Sequence, residues 1–359
     1  MAHVATPTGD HRTALILGGS GVIGSAIASQ LADTPNWTVY CASRSGRAPA
    51  GTRAVKVDLL DPASCAKAFA PLADVTDIFY TAYVPQPSRQ EEILPNRAML
   101  ANAVDAIAGH AGNLRSVVLV TGAKYYGIQW GPIRTPALEN GGRSMGPNFY
   151  YAQEDFLKQA SAEHGFDWYN IIPPFVSGYS ESSPMNLTTL IGVYASLSRE
   201  LGLPLQFPGP VDAYNALSQL ADADQIAAAA EWASRAEDLP SGAYNVANGD
   251  PHRWNALWPE LAAHFNMACD APRPFSLAQA LPALAPLWES LAKRHGLKIA
   301  NIHDLIDWNW ADYMLRFTDD VVLATNKIRA HGFDRYVDTA GRLKRRMDEL
   351  VEKKIIPPF

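Results

Sequence analysis

Apolar residues in the first half of the chain come in short unbroken runs, separated by longer stretches of helical periodicity. TALIL (13–17), WTVYCAS (37–43), RAVKV (53–57), DIFYTA (77–82), RSVVLVTG (115–122) and DWYNIIPP (167–174) are rich in β-branched and aromatic residues. Runs that do not alternate polar with apolar positions predict strands covered on both faces, hence a parallel sheet. Helical patterns occupy 22–32, 62–72, 96–110 and 148–164 between them. Strand and helix in alternation predict a doubly wound α/β fold of Rossmann type.

After residue 175 the texture changes. Pro, Gly, Ser and Tyr crowd 173–184 and 203–214 around a predicted helix at 185–201, and GAYNVAN (242–248) reads as one more short strand. The remainder is mainly helical and rich in tryptophan, with helices predicted over 253–265 and 304–317. The expected organisation is a nucleotide-binding domain over 1–175, to which 215–250 returns, and a smaller, mainly helical substrate lobe of 176–214 and 251–359.

Composition narrows the class. The chain has 359 residues, a net charge of −6 and no long charge run, so neither nucleic acid nor an anionic membrane is an expected partner. No segment is apolar over the roughly 20 residues that a spanning helix needs. The first residues lack the basic head of a signal peptide, and a cytoplasmic protein is expected. Cys41, Cys65 and Cys269 form no C-x-x-C pair, and the histidines show no H-x-x-x-H spacing. Neither a disulfide frame nor a metal site is expected.

The chemistry begins at LILGGSGVIGSAI, where Gly18-x-x-Gly21-x-x-Gly24 follows the first strand and opens the first helix. The first glycine permits a tight turn, the second lets a diphosphate approach the backbone, and the third lets helix pack on sheet. The N–H groups of Val22, Ile23 and Gly24 at the helix start are then available to phosphate. This spacing points to the short-chain type of dehydrogenase. At the end of the second strand a NAD-preferring site would carry an acid for the ribose hydroxyl. YCASRSGR instead offers Ser43, Arg44, Ser45 and Arg47. Guanidinium flanked by hydroxyls suits a 2′-phosphate, so NADPH (NADP+) is the expected cofactor. Asp58, with Leu59 in VKVDLLDP, fits the position that touches the adenine edge, and Asp58 also reads as a cap or turn residue of the next helix.

Short-chain reductases ordinarily pair a catalytic tyrosine with lysine as Tyr-x-x-x-Lys. In NFYYAQED the residue four after Tyr150 is Glu154, and four after Tyr151 is Asp155. Both acids read as first-turns helix residues favourable to the dipole.

LILGGSGVIG, VDLLDP, TGAKYYG, NFYYAQED, PPFVSGYS and YNVANGD occur in this order within residues 12–355, before a late DWNWADYML helix. On these motifs the chain resembles the progesterone 5β-reductase/iridoid synthase-like (PRISE) group of atypical extended short-chain dehydrogenases/reductases. The resemblance implies that the catalytic cation moves to the loop after the fifth strand, as Lys124, and that Tyr150 is the catalytic tyrosine. It implies hydride transfer from NADPH to the β-carbon of a conjugated carbonyl, with Tyr150 and Lys124 stabilising the enolate. It places Thr81, Ala82 and Thr121 on one side of the nicotinamide and Pro174 to Val176 beside it. Trp310 falls where the group has a substrate-facing aromatic. With Tyr126, Met145 and Phe149 it would form an apolar pocket for a hydrophobic small molecule bearing a conjugated carbonyl.

The chain departs from the group at TGAKYYGIQWGP, where TGxKHYxGPF is common. Tyr125 replaces the usual histidine, the aromatic is absent or shifted to Trp130, and Pro173 replaces an arginine. The group's steroid or terpenoid preference therefore does not carry over. Carbonyl reduction with the same tyrosine, and a non-catalytic NADP-sensing role, are the alternative readings; homodimerisation is left open.

Overall fold

The computed structural model describes residues 11–181 and 183–359. Met1–Asp10, which open the N-terminal stretch read above for targeting, lie outside the described residues. In chain order the first elements are β1 (Arg12–Leu17), α1 (Val22–Asp33), β2 (Trp37–Ser43), β3 (Arg53–Lys56) and α2 (Pro62–Phe69). They continue with β4 (Asp77–Tyr80), α3 (Ile93–Ala108), β5 (Ser116–Val120), α4 (Phe149–His164) and β6 (Asp167–Ile172).

Local chemistry sets the helix boundaries. Asp61 accepts from Ala63 N ahead of Pro62 to open α2, and Asn148 accepts from Tyr150 N to open α4. Gly165, at φ +79°, ends α4 in the left-handed region that glycine occupies at little cost.

The seven-stranded sheet runs Gly242–Asn245, β6, β5, β4, β1, β2, β3. Strands β1 to β6 pair in parallel throughout. Strand order reverses between β1 and β4, the switch point at which Rossmann folds open a crevice beyond the carboxyl ends of their strands. Every residue of β4 and β5 is buried, as the non-alternating runs require.

The chain forms two compact units. One holds the chain through Thr121, Pro147–Ile171 and Ala227–Ala243; the other holds Gly122–Gly146, Ile172–Ile226 and Tyr244–Phe359. The first has a core of Leu15, Ile78, Leu100, Val117, Leu119 and Leu157. The second is built around α5 (Leu187–Glu200), whose residues from Leu187 to Ser198 are all buried, with Phe207, Trp258, Phe265 and Trp288 packed in the same core. In that unit β7 (Phe175–Ser177) pairs in parallel with the strand Leu220–Asp222. Asp222 is fully buried and takes a bidentate pair from Arg346, at 2.7 Å and 3.0 Å.

One predicted helix divides. Instead of a single element over 304–317 there are two, Ile302–Leu305 and Trp308–Met314. Ile306 is extended, and Asp307 accepts from Trp310 N at 3.0 Å, so a side-chain cap starts a new helix where apolar periodicity alone continues the old one. No helix among the described residues is long and apolar enough to cross a membrane, and none of their His, Cys, Asp or Glu side chains cluster as a metal site.

Candidate active site

The glycine turn is sterically demanding. Gly18 sits at φ +89°, and a Cβ there would lie 2.8 Å from both Ala82 N and Thr81 Oγ1. A Cβ on Gly24 would strike the Gly18 carbonyl, so turn and helix pack only without it. Gly21 differs, since the nearest atom to its Cβ would be 3.4 Å away. Protein packing does not demand glycine there, whereas a diphosphate against the backbone does. Gly21 also precedes α1 with no side-chain cap. Val22, Ile23 and Gly24 therefore present first-turn N–H groups that a helix does not satisfy internally. The cradle fits the diphosphate of a dinucleotide.

At the end of β2, Arg44, Ser45 and Arg47 are exposed and Ser43 half-buried. Ser43 Oγ donates to Arg47 O at 3.1 Å and Arg47 N to Ser45 Oγ at 3.3 Å, a hydroxyl-laced turn carrying two guanidinium groups. Asp58 accepts from Leu60 N at 3.0 Å, and Leu59 O accepts from Asn102. The helix cap is Asp61, so of its two local readings Asp58 takes the turn.

Tyr150 is the second residue of α4, half-buried, whereas Tyr151 is buried. Phe149, 4% exposed, stands with its ring centroid 4.3 Å from that of Tyr150 and stacks on Tyr83 at 5.4 Å. Tyr83 donates to Glu92 at 2.5 Å. Burial raises the Tyr83 phenol far above its ordinary pKa, the Glu92 carboxylate raises it further, and the neighbouring Tyr150 adds to both.

Glu154 does more than suit the helix dipole. It is 3% exposed, in the second turn of α4, and its carboxylate takes Lys158 Nζ at 2.5 Å and Asn170 Nδ2 at 3.1 Å. Asn170 in turn accepts from Thr121 Oγ1 at 2.8 Å. Asp155, by contrast, is exposed.

In the second unit Lys124 lies on a 3-10 turn, Ala123–Tyr126, closed by Gly127 at φ +86°. Its Nζ stands 5.5 Å from the ring centroid of Tyr313. Tyr126 donates to Asn245 Oδ1 at 2.6 Å, and the fully buried Asn245 donates to Ala137 O and Ala324 O, both at 3.0 Å. Pro174 is buried and Val176, in β7, half-buried. A small, mainly apolar cleft is lined by Phe175, Leu187, Trp254, Met314, Leu315 and Phe317, with Ser218 and Asp319 among its few polar residues. Trp310 is half-buried against the tryptophan-rich core, and Met145, in a glycine-flanked loop, is 92% exposed.

A model of PRISE-like Rossmann-fold domains matches residues 58–357. The chain belongs to this family. Among its relatives, an (S)-8-oxocitronellyl enol synthase of Camptotheca acuminata is 32% identical over 96% of this chain and 93% of its own. A 3-oxo-Delta(4,5)-steroid 5-beta-reductase of Arabidopsis thaliana is 30% identical with the same coverage. Among solved structures, the Bordetella bronchiseptica enzyme WbmG in complex with NAD superposes with a TM-score of 0.68 over 99% of both chains. At 15% identity that likeness shows the fold. The protein is an oxidoreductase of short-chain dehydrogenase/reductase type with a nicotinamide-nucleotide fold.

In this PRISE-like protein the structure packs Thr81 and Ala82, at the end of β4, against the Gly18–Gly24 turn and sets Phe149 beside Tyr150. It also lines the cleft with Trp254, Met314 and Phe317, which the sequence reading did not single out, beside Phe175, which lies in the stretch read as passing the nicotinamide; Trp310, Met314 and Phe317 follow the i, i+4, i+7 spacing that would have flagged two of them. Burial raises the Cys41 and Cys65 thiols to about 11, which leaves them protonated and poor nucleophiles.

Proposed function

We propose that this PRISE-like protein is an NADPH-dependent reductase of activated carbon–carbon double bonds, acting on an apolar molecule whose double bond is conjugated to a carbonyl. The observation that carries the reading is the residue that stands one turn after the tyrosine on its own helix. One turn after Tyr150 stands a buried, engaged glutamate, while the lysine lies on the turn that follows β5. A ketone reductase must hand a proton to a strongly basic alkoxide, which favours a tyrosine acidified by lysine on its own helix. An enolate is a weaker base, and stabilising it asks less of the phenol. The enol synthase and 5-beta-reductase relatives support the same reading.

Bound NADPH supplies the hydride. In this reading the first unit holds the nucleotide and the second holds the substrate. The first-turn N–H groups of Val22, Ile23 and Gly24, approached past Gly18 and Gly21, take the diphosphate. Arg44, with Ser43, Ser45 and Arg47, takes the 2′-phosphate, and Asp58 with Leu59 borders the adenine. Thr81, Ala82, Thr121, Pro174 and Val176 flank the nicotinamide. Tyr150 donates a hydrogen bond to the carbonyl oxygen as charge develops there, supported by the positive charge of Lys124, and such a donor contributes about 3 kcal/mol to lowering the barrier. Water then protonates the α-carbon. Phe175, Trp254, Met314 and Phe317 receive the hydrocarbon body of the substrate.

The test follows NADPH oxidation with enones paired against their saturated ketones, for wild type and Tyr150→Phe. Enones are expected to turn over and saturated ketones not, with kcat reduced about 100-fold in the variant. Turnover of saturated ketones alone overturns the reading.

A further inference from the structure

Glu154 occupies the helical position where short-chain reductases ordinarily carry lysine, yet its side chain is tied into the protein interior. Its two oxygens hold Lys158 and Asn170, and Asn170, fully buried on β6, accepts the hydroxyl of Thr121. Thr121 is held besides by its N–H, which donates to Ile171 O at 3.0 Å. A side-chain amide has a donor end and an acceptor end, whereas a carboxylate only accepts. Glu154 therefore attracts the NH2 end of Asn170 and leaves the oxygen end to Thr121. Thr121 spends its one hydroxyl proton on that oxygen, so what its Oγ has left to offer is acceptor lone pairs.

We propose that Glu154 is a positioning residue: through Asn170 it sets the polarity of the Thr121 hydroxyl at the end of β5, making it an acceptor for an N–H donor of the bound nucleotide, such as the nicotinamide carboxamide. The inference rests on the reading above that hydride transfer takes place beside Thr121. The glutamate at the lysine position is then a working part of the site, acting two hydrogen bonds away. Lys158, 48% exposed at the far side of the carboxylate, compensates its buried charge.

A double-mutant cycle tests this on the full chain with NADPH and whichever enone wild type reduces. Glu154→Met removes the acceptor, and Thr121→Val removes the hydroxyl. Each is expected to lower kcat about tenfold with the Kd for NADPH changed less than about threefold, and the double variant to be no slower than the slower single. Glu154→Gln, whose amide oxygen can still accept from Asn170, is expected to recover most of the rate. Additive losses, a Glu154→Gln variant as slow as Glu154→Met, or a lowered melting temperature with unchanged kcat would each overturn the proposal. Should Glu154→Met fail to fold, Asn170→Ser breaks the same link and leaves the Glu154–Lys158 pair intact, so the cycle is run with it. Tyr150→Phe is the control. If it reduces enones as fast as wild type, the reading of the site has failed; if it is slow and the cycle is additive, the role of Glu154 has.

Discussion

The two units are specified in different ways. The first is a sheet with fully buried central strands, β4 and β5, and one glycine turn, each marked by residues adjacent in sequence. The second depends on polar groups that meet across long stretches of chain. Asp222 finds Arg346, Asn245 joins Tyr126, Ala137 and Ala324, and Asn248 bonds Thr339. Local pattern can encode the first arrangement, whereas the second forms only when distant segments coincide. The contrast matters for the proposed function, in which nucleotide binding falls to the locally encoded unit and substrate choice to the other.

Breaking the long-range side should give the largest loss. Arg346→Met leaves the carboxylate of Asp222 buried without its bidentate partner, and a loss of about 3–5 kcal/mol is expected in urea unfolding. Hydrogen exchange should rise first in Phe175–Ser177 and Leu220–Asp222, and an Asp222→Asn change made in the same chain should recover part of the loss. On the local side, Gly24→Val forces a side chain into the Gly18 carbonyl. It should weaken NADPH binding by about 100-fold or more and destabilise the first unit by about 2–3 kcal/mol, measured by titration and by thermal unfolding. Survival of NADPH binding in Gly24→Val would show that the turn is not the phosphate site.

Two smaller effects sharpen the comparison. Arg44→Ala should weaken NADPH about tenfold and leave NADH unchanged, read as the ratio of the two dissociation constants. Equal losses for both nucleotides would place Arg44 away from the 2′-phosphate. In the second unit, burial pushes the His252 imidazole down to about 4, with Asp250 opposing, and neither ring nitrogen has a hydrogen-bond partner among the described residues. The unfolded chain takes up this proton near pH 6.5 while the folded chain does not, so stability is full above that value and declines as pH falls from 6.5 towards 4. Between pH 7.5 and 5.5 the loss should be about 1 kcal/mol, and His252→Phe should abolish that slope in urea melts.

The first unit was largely legible in the sequence because its signals are local. WTVYCAS predicts a strand over 37–43, and β2 occupies Trp37–Ser43; the glycine spacing marks the turn between β1 and α1. The second unit was read less well for physical reasons. Strands of two or three residues, such as Leu205–Gln206 and Phe175–Ser177, are too short to show a period. Asp307 ended a helix that hydrophobic spacing alone would have continued. An acid near a helix start suits the dipole, and that reading of Glu154 left out its partners, although Lys158 one turn later signals an i, i+4 pair. Its bond to Asn170 belongs to tertiary structure and leaves no mark in the sequence.

The pairing of Asp222 with Arg346 also has a consequence in time. The two residues are 124 positions apart. At ribosomal rates the carboxylate is made on the order of 10 s before the guanidinium that neutralises it. Until then the strand Leu220–Asp222 cannot bury its charge, and the second unit stays open while the first already has β1 to β6 to assemble. A chain cut short before Arg346 would retain the glycine turn of the first unit and lack the means to finish the core of the second.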